Sequence, residues 1–270
     1  MAEQHVEFQR TFYNRHFGKR GEAVRDQLAH PLFRSFNDRV AALAFTLGEV
    51  GSAAERGGRP VRLREVGCGE GLLAAAIRRS ADDLGLELEY TGADVSASAL
   101  ELAGTHVAGD LLVGDAVELL QDMAPASQDV IVAKNLLHHL DDPATFLGEA
   151  GRVVGPEGRL VIFEPNLGCP QFLLFNVLAF RRERHYFKGR RRNLDAIERA
   201  GLRIVRTELF SWLPYELAFV IRFDWFRRLF SFGSPRAVDA VSRLDDRLTR
   251  WLSPLACYVV WSTAASPSAD

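Results

Sequence analysis

The chain has 270 residues, of which 47% are hydrophobic and 25% are charged, and its formal net charge at pH 7 is −2. This composition is typical of a folded globular protein, and it excludes a long disordered or collagen-like chain. Because the charges nearly balance, no global positive field indicates a nucleic-acid partner, and we expect none.

The cysteines and the apolar segments bear on the cellular compartment. Cys68, Cys169 and Cys257 are odd in number and lack metal-ligand spacing, which predicts reduced thiols and no metal site. The N-terminal segment MAEQHVEFQRTFYNRHF lacks the apolar core of a signal peptide. The apolar stretch at residues 171–180 is about half as long as the roughly twenty residues that span a bilayer. We therefore expect a cytoplasmic protein, at most peripheral to the inner face of a membrane.

Residues 3–55 are predicted to be helical, because apolar residues recur there at three- and four-residue spacing. Phe36, Val40 and Leu47 belong to this pattern, and charged residues lie between them. A glycine- and proline-containing segment at residues 57–60 then breaks it. We expect residues 1–58 to form an N-terminal helical lid.

After this break, short apolar strands alternate with helical segments. The predicted strands cover residues 61–66, 88–93, 111–113, 129–133 and 159–163. Helices are predicted from Leu72, after Ser96 and over residues 142–154. This alternation predicts right-handed crossovers and a mostly parallel sheet, which we assign to a core of residues 59–165.

Residues 166–270 are predicted to supply the late strands of this core, together with helical insertions that cap a substrate site. The predicted helices cover residues 170–188, 194–200 and 215–250, with a break at residues 232–235. The predicted strands cover residues 202–209 and 256–261. Such a helical insertion would form one wall of a pocket above the carboxyl ends of the strands.

The segment between the first strand and the next helix is a glycine-rich loop, Gly67-Cys68-Gly69-Glu70-Gly71. Glycines let the backbone turn sharply and approach a ligand, and the following helix presents free N–H groups. The dinucleotide version of this loop is G-x-G-x-x-G, whereas here the third glycine arrives one residue early.

The acid that precedes the loop favours a particular kind of ligand. Glu65 lies two residues before the first glycine, where it is a poor neighbour for a pyrophosphate but a good partner for an ammonium group. S-adenosylmethionine (SAM) carries an ammonium and a sulfonium group and no phosphate. The loop therefore fits SAM better than a nicotinamide dinucleotide.

Two further acids follow the next strands. Asp94 ends the second strand, 23 residues after Gly71, where it can accept hydrogen bonds from both ribose hydroxyls. Asp115 follows the third strand, where it can accept the adenine amino group. Each acid also has a purely structural interpretation: Glu65 as a strand-end residue, Asp94 beside a helix cap at Ser96, and Asp115 as a cap of the next turn. Cys68 is explained by the small side chain that the loop requires.

Together with the segment at residues 129–143, these motifs resemble the class I SAM-dependent methyltransferase superfamily, and most closely its small-molecule branch, which includes ubiquinone and menaquinone biosynthesis methyltransferases. The resemblance covers about residues 60–165 and continues more weakly to Trp261. It implies an α/β, Rossmann-like, doubly wound fold with a mostly parallel seven-stranded sheet. The residues that it implies for cofactor binding are Glu65, Gly67, Cys68, Gly69 and Gly71 at the methionine end, Asp94 and Val95 at the ribose and adenine, Asp115 and Ala116 at the adenine, and Asn135 on the methyl-donor side.

The chemistry requires few catalytic groups. Methyl transfer from a sulfonium is a direct in-line displacement, so positioning supplies much of the rate, and a base is needed only where the acceptor must lose a proton. His138 and His139 are candidate bases, although one of them could instead pack in the loop. Lesser candidates are Tyr13, His16, His185 and Tyr186. No cluster of carboxylates has metal-ligand spacing, and the Pro-Pro-Tyr/Phe motif of nucleic-acid amine methyltransferases is absent, so we expect a metal-independent enzyme with a small-molecule acceptor.

The sequence-based hypothesis is methyl transfer to a small hydrophobic metabolite, on oxygen. One alternative is a lipid-linked or membrane-associated acceptor, with peripheral membrane contact through the aromatic and basic segments at residues 171–192 and 223–232. Those segments could equally be a hydrophobic cap helix and a solvated arginine-rich face. The remaining alternatives are a non-catalytic SAM-binding protein and a nicotinamide oxidoreductase.

Overall fold

The computed structural model describes residues 7, 10, 11, 14, 21–52, 54–172, 189–213 and 234–265. Its strands are β1 (Val61–Val66), β2 (Leu88–Asp94), β3 (Asp110–Val113), β4 (Val130–Lys134), β5 (Arg159–Pro165), β6 (Leu202–Phe210) and β7 (Tyr258–Ala265). Its helices are α1 (Gly21–Ala29), α2 (Pro31–Leu47), α3 (Leu72–Asp83), α4 (Ala97–Ala103), α5 (Ala116–Gln121), α6 (Pro143–Val154), α7 (Arg190–Arg199) and α8 (Pro235–Trp251), and a 3₁₀ turn (Ser253–Leu255) precedes β7.

The strands form a seven-stranded sheet in the order β3-β2-β1-β4-β5-β7-β6. The first five strands pair in parallel, whereas β7 pairs antiparallel with both β5 and β6. The strand order reverses between β1 and β4, and in open α/β sheets ligands bind in the crevice at the carboxyl ends of the strands there. This confirms the predicted doubly wound, mostly parallel α/β sheet and places the expected site above β1 and β4.

Helices cover both faces of the sheet, which explains why its central strands are apolar along their length. On one face, Phe36 and Val40 of α2 pack in a cluster with Leu63 of β1. On the other face, Phe146 of α6 packs in a cluster with Ile131 of β4. Burying each of these large side chains contributes about 1.5–3 kcal/mol to folding. The sheet is therefore held firmly from both sides, and its carboxyl edge is a stable base for a site.

Several element boundaries differ from those that the sequence predicts. The last strand was expected at residues 256–261 but runs Tyr258–Ala265, because Ser262 and Thr263 are buried between two neighbouring strands despite their hydroxyls. Helix α7 begins at Arg190 rather than near residue 194, since its first turn is rich in arginine and gives no apolar signal. Helix α5 was not predicted at all. Of the helices expected at residues 170–188 and 215–250, the parts at residues 173–188 and 215–233 lie outside the described residues.

Within the described ranges, no helix is both long enough and apolar enough to cross a lipid bilayer.

Candidate functional site

The glycine-rich loop leaves the carboxyl end of β1 and turns directly into α3. Gly69 has φ = 52°, a left-handed conformation that favours glycine, and a Cβ atom added there would meet nothing within 4 Å. Gly71 has φ = 74°, and a Cβ atom there would lie 2.6 Å from Cγ2 of Val107. Gly71 thus brings the helix against its neighbour, while the backbone at Gly69 faces open space that a ligand can occupy.

Glu65 lies at the end of β1, beneath this loop, and its side chain is buried. Its Oε2 accepts a hydrogen bond of 2.8 Å from the hydroxyl of Tyr90 on β2. Burial raises the pKa of Glu65 to about 7, the neighbouring Asp94 adds to this rise, and Tyr90 and Lys134 act in the opposite direction. Ionising a buried carboxyl group costs free energy, and a neighbouring cation offsets that cost. A buried carboxyl with a raised pKa is therefore stabilised strongly by a bound cation.

Asp94 ties the glycine loop to the end of β2. Its Oδ2 accepts the backbone N–H of Gly69 at 2.8 Å, and its Oδ1 accepts the backbone N–H of Ser96 at 2.9 Å. Burial raises the pKa of Asp94, while these backbone N–H groups act to lower it. Each carboxylate oxygen has a second lone pair, so the same group can still accept ligand hydroxyls.

The other predicted cofactor residues lie around the same edge of the sheet. Asp115 caps α5, since its Oδ1 accepts the backbone N–H groups of Val117 at 2.8 Å and Glu118 at 3.3 Å. Asp115 therefore acts as a helix cap in the structure. Its other oxygen, Oδ2, takes no part in these two bonds. Val95 is partly buried directly after β2, and Ala116 is the first residue of α5.

Cys68 and Asn135 complete the predicted set. Cys68 is buried, and burial raises the pKa of its thiol well above the ordinary value, so the thiol stays neutral. Asn135 follows β4 with φ = 56°, and its backbone N–H bonds to the carbonyl oxygen of Phe163 at 2.8 Å. The next residue, Leu136, packs against the glycine loop, where a Cβ atom at Gly67 would lie 3.2 Å from Leu136 Cδ1. The structure therefore brings the loops after β1 and β4 together.

The paired histidines lie in the loop after β4 and differ from each other. His138 is buried, and its Nδ1 lies 2.8 Å from Oε2 of Glu164, a residue that is itself buried near the end of β5. Oε1 of Glu164 accepts the backbone N–H of Leu137 at 2.7 Å. His139 is only partly buried, and its ring centroid lies 4.0 Å from that of His138.

An arginine of the aromatic and basic segment at residues 171–192 is hydrogen-bonded to this histidine loop. The guanidinium of Arg192, in the first turn of α7, donates hydrogen bonds to the carbonyl oxygens of Leu137, Leu140 and Asp141 at 3.3, 2.7 and 2.9 Å. Part of this segment therefore has a structural use. Tyr13, His16, His185 and Tyr186, with most of the two predicted membrane segments, lie outside the described residues.

Three contacts at this edge of the sheet were missed from the sequence. Tyr90 bonds Glu65, Glu164 bonds His138, and Asn14 of the N-terminal segment accepts hydrogen bonds from Ser96 Oγ at 2.9 Å and Ser98 N at 3.2 Å. The sequence does not predict such pairs, because their members are far apart along the chain and meet only when the chain folds. For Glu164 the sequence does offer a signal, since this acid is the penultimate residue of β5.

These features fit SAM on structural grounds. A buried carboxyl at the end of β1 suits an ammonium group, an open glycine backbone allows close approach, and the acid after β2 suits ribose hydroxyls. Across the described part of the chain, no group of three or more His, Cys, Asp or Glu side chains is arranged to hold a metal ion.

Comparison with known proteins agrees with this geometry. Residues 64–162 match the family model described as "Methyltransferase domain". The chain is 33% identical over 133 residues to a ubiquinone biosynthesis O-methyltransferase of Paracidovorax citrulli, which covers 47% of this chain and 52% of the relative. It is 33% identical over 127 residues to a malonyl-[acyl-carrier protein] O-methyltransferase of Hahella chejuensis, covering 46% of this chain and 43% of the relative. The matched region is thus about half the length of these curated relatives.

The fold also matches solved structures. A magnesium protoporphyrin IX methyltransferase from Synechocystis with bound SAH superposes with a TM-score of 0.55, covering 97% of this chain and all of that chain (100%), at 11% identity. At this identity the similarity concerns the fold. The family match, at residues 64–162, includes Glu65, the glycine-rich loop, Asp94, Asp115 and the histidine pair.

Proposed function

We propose that this chain, whose residues 64–162 match the model of a methyltransferase domain, is a class I SAM-dependent methyltransferase that transfers a methyl group from SAM to oxygen of a small hydrophobic metabolite. The observation that carries the proposal is the buried Glu65 carboxyl beneath an open glycine loop that Asp94 holds in place. The names of the two relatives, both O-methyltransferases, support oxygen as the methylated atom.

In this proposal the chain binds and orients its two substrates. Glu65 receives the ammonium group of SAM, Asp94 receives the ribose hydroxyls, and the second oxygen of Asp115 receives the adenine amino group. When bound, SAM supplies a methyl group on a cationic sulfur that leaves as a neutral thioether. Orientation of the acceptor oxygen against that methyl group can contribute about 7–11 kcal/mol toward the barrier.

A base is needed where the acceptor is a phenol or an alcohol. We assign this role to the histidine pair and favour His139, because it is the more exposed member while His138 is buried against Glu164. His139→Ala is then expected to lower kcat by about 10²-fold for a phenolic acceptor, the low end for loss of a general base. The loss should shrink above the acceptor's own pKa, where no proton need be removed. A loss that does not depend on pH would assign His139 to packing.

The proposal is tested by methyl transfer and by ligand choice. With tritiated SAM and a panel of phenolic and acyl-ester acceptors, we expect label in at least one product, and Asp94→Ala is expected to abolish it at limiting SAM. Thermal unfolding should shift upward with SAM or S-adenosylhomocysteine (SAH) and remain unchanged with NAD(P)H. Stabilisation by NAD(P)H alone would contradict the proposal. Binding of SAH without transfer to any acceptor would favour the non-catalytic alternative.

A second candidate is a lipid-linked or membrane-associated acceptor, and one surface supports it. Leu244 and Trp251 lie seven residues apart on one side of α8, with exposures of 51% and 81%, and Leu255, in the 3₁₀ turn that follows, is 37% exposed. The arginines of the same stretch, all exposed, are Arg243, Arg247 and Arg250. Exposed tryptophan, leucine and arginine side by side suit the interface of an anionic bilayer.

The position of this α8 surface is compatible with such an acceptor. Asn166, next to the end of β5, donates through Nδ2 to the carbonyl oxygens of Pro254 and Ala256 at 3.2 and 2.8 Å. The surface therefore adjoins the carboxyl edge of the sheet, where the acceptor is expected.

Vesicle binding tests this second candidate. Phosphatidylglycerol vesicles should co-sediment the chain at low salt, with a strong decrease at high salt and with Trp251→Glu. Leu84→Glu is the matched control. Leu84 is also exposed, at 56%, but it lies between the end of α3 and the start of β2, near the amino ends of the strands. Equal binding by both variants would remove the support that α8 gives.

A further inference from the structure

Tyr90 reaches Glu65 because of the register between β1 and β2. Leu63 pairs with Tyr90 and Glu65 pairs with Gly92, so all four residues face the same side of the sheet. The residue opposite Glu65 is a glycine, which leaves room for the tyrosine hydroxyl. A Cβ atom at Gly92 would lie 3.0 Å from Tyr90 Oη and 2.9 Å from Cys68 Sγ. The space beside Glu65 is thus filled by the Tyr90 hydroxyl and the Cys68 thiol.

We propose that Tyr90 is a positioning residue for ligand binding, whose hydroxyl holds the Glu65 carboxylate as the anion that receives the ligand's ammonium group. The inference rests on the proposed function, because it takes SAM or SAH as the ligand. It adds a specific consequence: the affinity for the ligand depends on pH through Glu65, and Tyr90 sets where on the pH scale this dependence lies.

The groups around Glu65 make the hydroxyl important. The charged or titratable groups that act on it are Tyr90 and Asp94 from β2, Lys134 from β4, and Cys68 from the loop through its own thiol. Burial raises the pKa of the Tyr90 hydroxyl well above its ordinary value, so this group remains a donor at neutral pH. Glu65 itself has a pKa of about 7. Removing the Tyr90 donor therefore raises the pKa of Glu65 further and leaves it protonated at neutral pH.

The test is the SAH affinity of Tyr90→Phe relative to the native chain, measured by calorimetry between pH 6.5 and 9. An upward pKa change of about one unit, a modest value for losing a hydrogen bond to a charged group, predicts roughly eightfold weaker binding at pH 6.5 and under twofold weaker binding at pH 9. The ligand's α-amino group also titrates at alkaline pH, but it affects both proteins equally and cancels in the ratio. A ratio that stays constant with pH overturns the proposal.

Two controls separate this inference from the proposed function. Tyr258→Phe also alters a buried tyrosine of the same sheet, and its affinity ratio should stay near one at every pH. Glu65→Gln should bind SAH weakly throughout. If Glu65→Gln binds as tightly as the native chain, Glu65 does not receive the ammonium group and both proposals lose their basis. If it binds weakly while the Tyr90→Phe ratio is constant, only the role of Tyr90 is overturned.

A second route does not depend on the folding of Tyr90→Phe. Replacing the five tyrosines by 3-fluorotyrosine makes each hydroxyl a stronger donor without changing the shape of the ring appreciably. The pH dependence of SAH affinity should then move to lower pH, opposite in direction to Tyr90→Phe. An unchanged profile would contradict the proposal.

Discussion

Two buried glutamates lie near the carboxyl edge of the same sheet, and the chain uses them differently. Both oxygens of Glu164 are engaged by the loop after β4, one by the Leu137 N–H at 2.7 Å and the other by His138 Nδ1 at 2.8 Å. Glu65 instead accepts one bond through Oε2, from a tyrosine hydroxyl at 2.8 Å. In the described part of the chain, its Oε1 accepts no hydrogen bond.

This difference suggests a division between a binding region, around Glu65, and a positioning region, around Glu164. A buried carboxylate whose oxygens are all engaged by the protein stabilises a local conformation, here the loop that carries the histidine pair. A buried carboxyl with remaining capacity, beside open backbone, is poised for a ligand. We therefore expect the region above β1 and β2 to be the binding region, and the region between β4 and β5 to be a positioning region that holds the histidine loop.

Replacing each glutamate by glutamine should show that the two residues have different roles. We expect these substitutions to have the largest effects on stability and on ligand affinity. Glu164→Gln should lower the free energy of unfolding by about 2–4 kcal/mol, because its amide NH₂ would either face the Leu137 N–H or require His138 to carry its proton on Nε2 instead of Nδ1. Glu65→Gln should weaken SAH binding by about 100-fold, since it removes one member of a buried charge pair. Urea denaturation and calorimetry measure the two effects.

The comparison fails if the two effects do not separate. A Glu164→Gln chain that keeps its stability but loses SAH affinity would make Glu164 part of the binding region. A Glu65→Gln chain that loses more than about 2 kcal/mol of stability would make Glu65 a structural residue, because a ligand-binding group should cost the free protein little.

The pH dependence of stability provides a second difference of similar size. The pKa of Glu65 rises from 4.5 to about 7 on folding, so the folded chain retains a proton that the unfolded chain has lost between these values. Stability should therefore fall as pH rises from about 4.5 to 7, by about 3 kcal/mol in total, and then change no further through this group. Subtracting the profile of Glu65→Gln isolates this contribution. A difference profile that is flat or that rises with pH would exclude a raised pKa at Glu65.

The sequence predicts the strand, the glycine loop and the helix that follows well, because their signals are local. The strand at residues 61–66 was predicted at both ends, since an apolar run ends at a glycine loop that then opens into a helix. Asp94 lies beside that loop because parallel strands bring their carboxyl ends to one edge. Composition, spacing and the rules of α/β folds were sufficient for this part of the fold.

In both regions, the contacts that join distant parts of the chain resisted prediction. The bond between His138 and Glu164 depends on how β4 and β5 align, and the bond between Tyr90 and Glu65 depends on a glycine opposite the acid. Strand β7 was misplaced because its buried hydroxyl residues look polar in the sequence. The role of Asp115 as a cap or an adenine ligand also cannot be decided from its spacing, since both need the same position.

Asn14 offers the smallest effect and a test of whether the binding region extends to the N-terminal segment. Its Oδ1 accepts bonds from Ser96 Oγ and Ser98 N, directly after the acid expected at the ribose. Asn14→Ala should weaken SAH binding by about two- to fivefold, as expected for one or two neutral hydrogen bonds, because Asp94 still holds the backbone of Ser96. Asn14→Asp keeps the acceptor oxygen and should retain most of the affinity. Native affinity in Asn14→Ala would restrict the binding region to the sheet edge, whereas a loss restored by the aspartate would assign the N-terminal segment a part in covering the ligand.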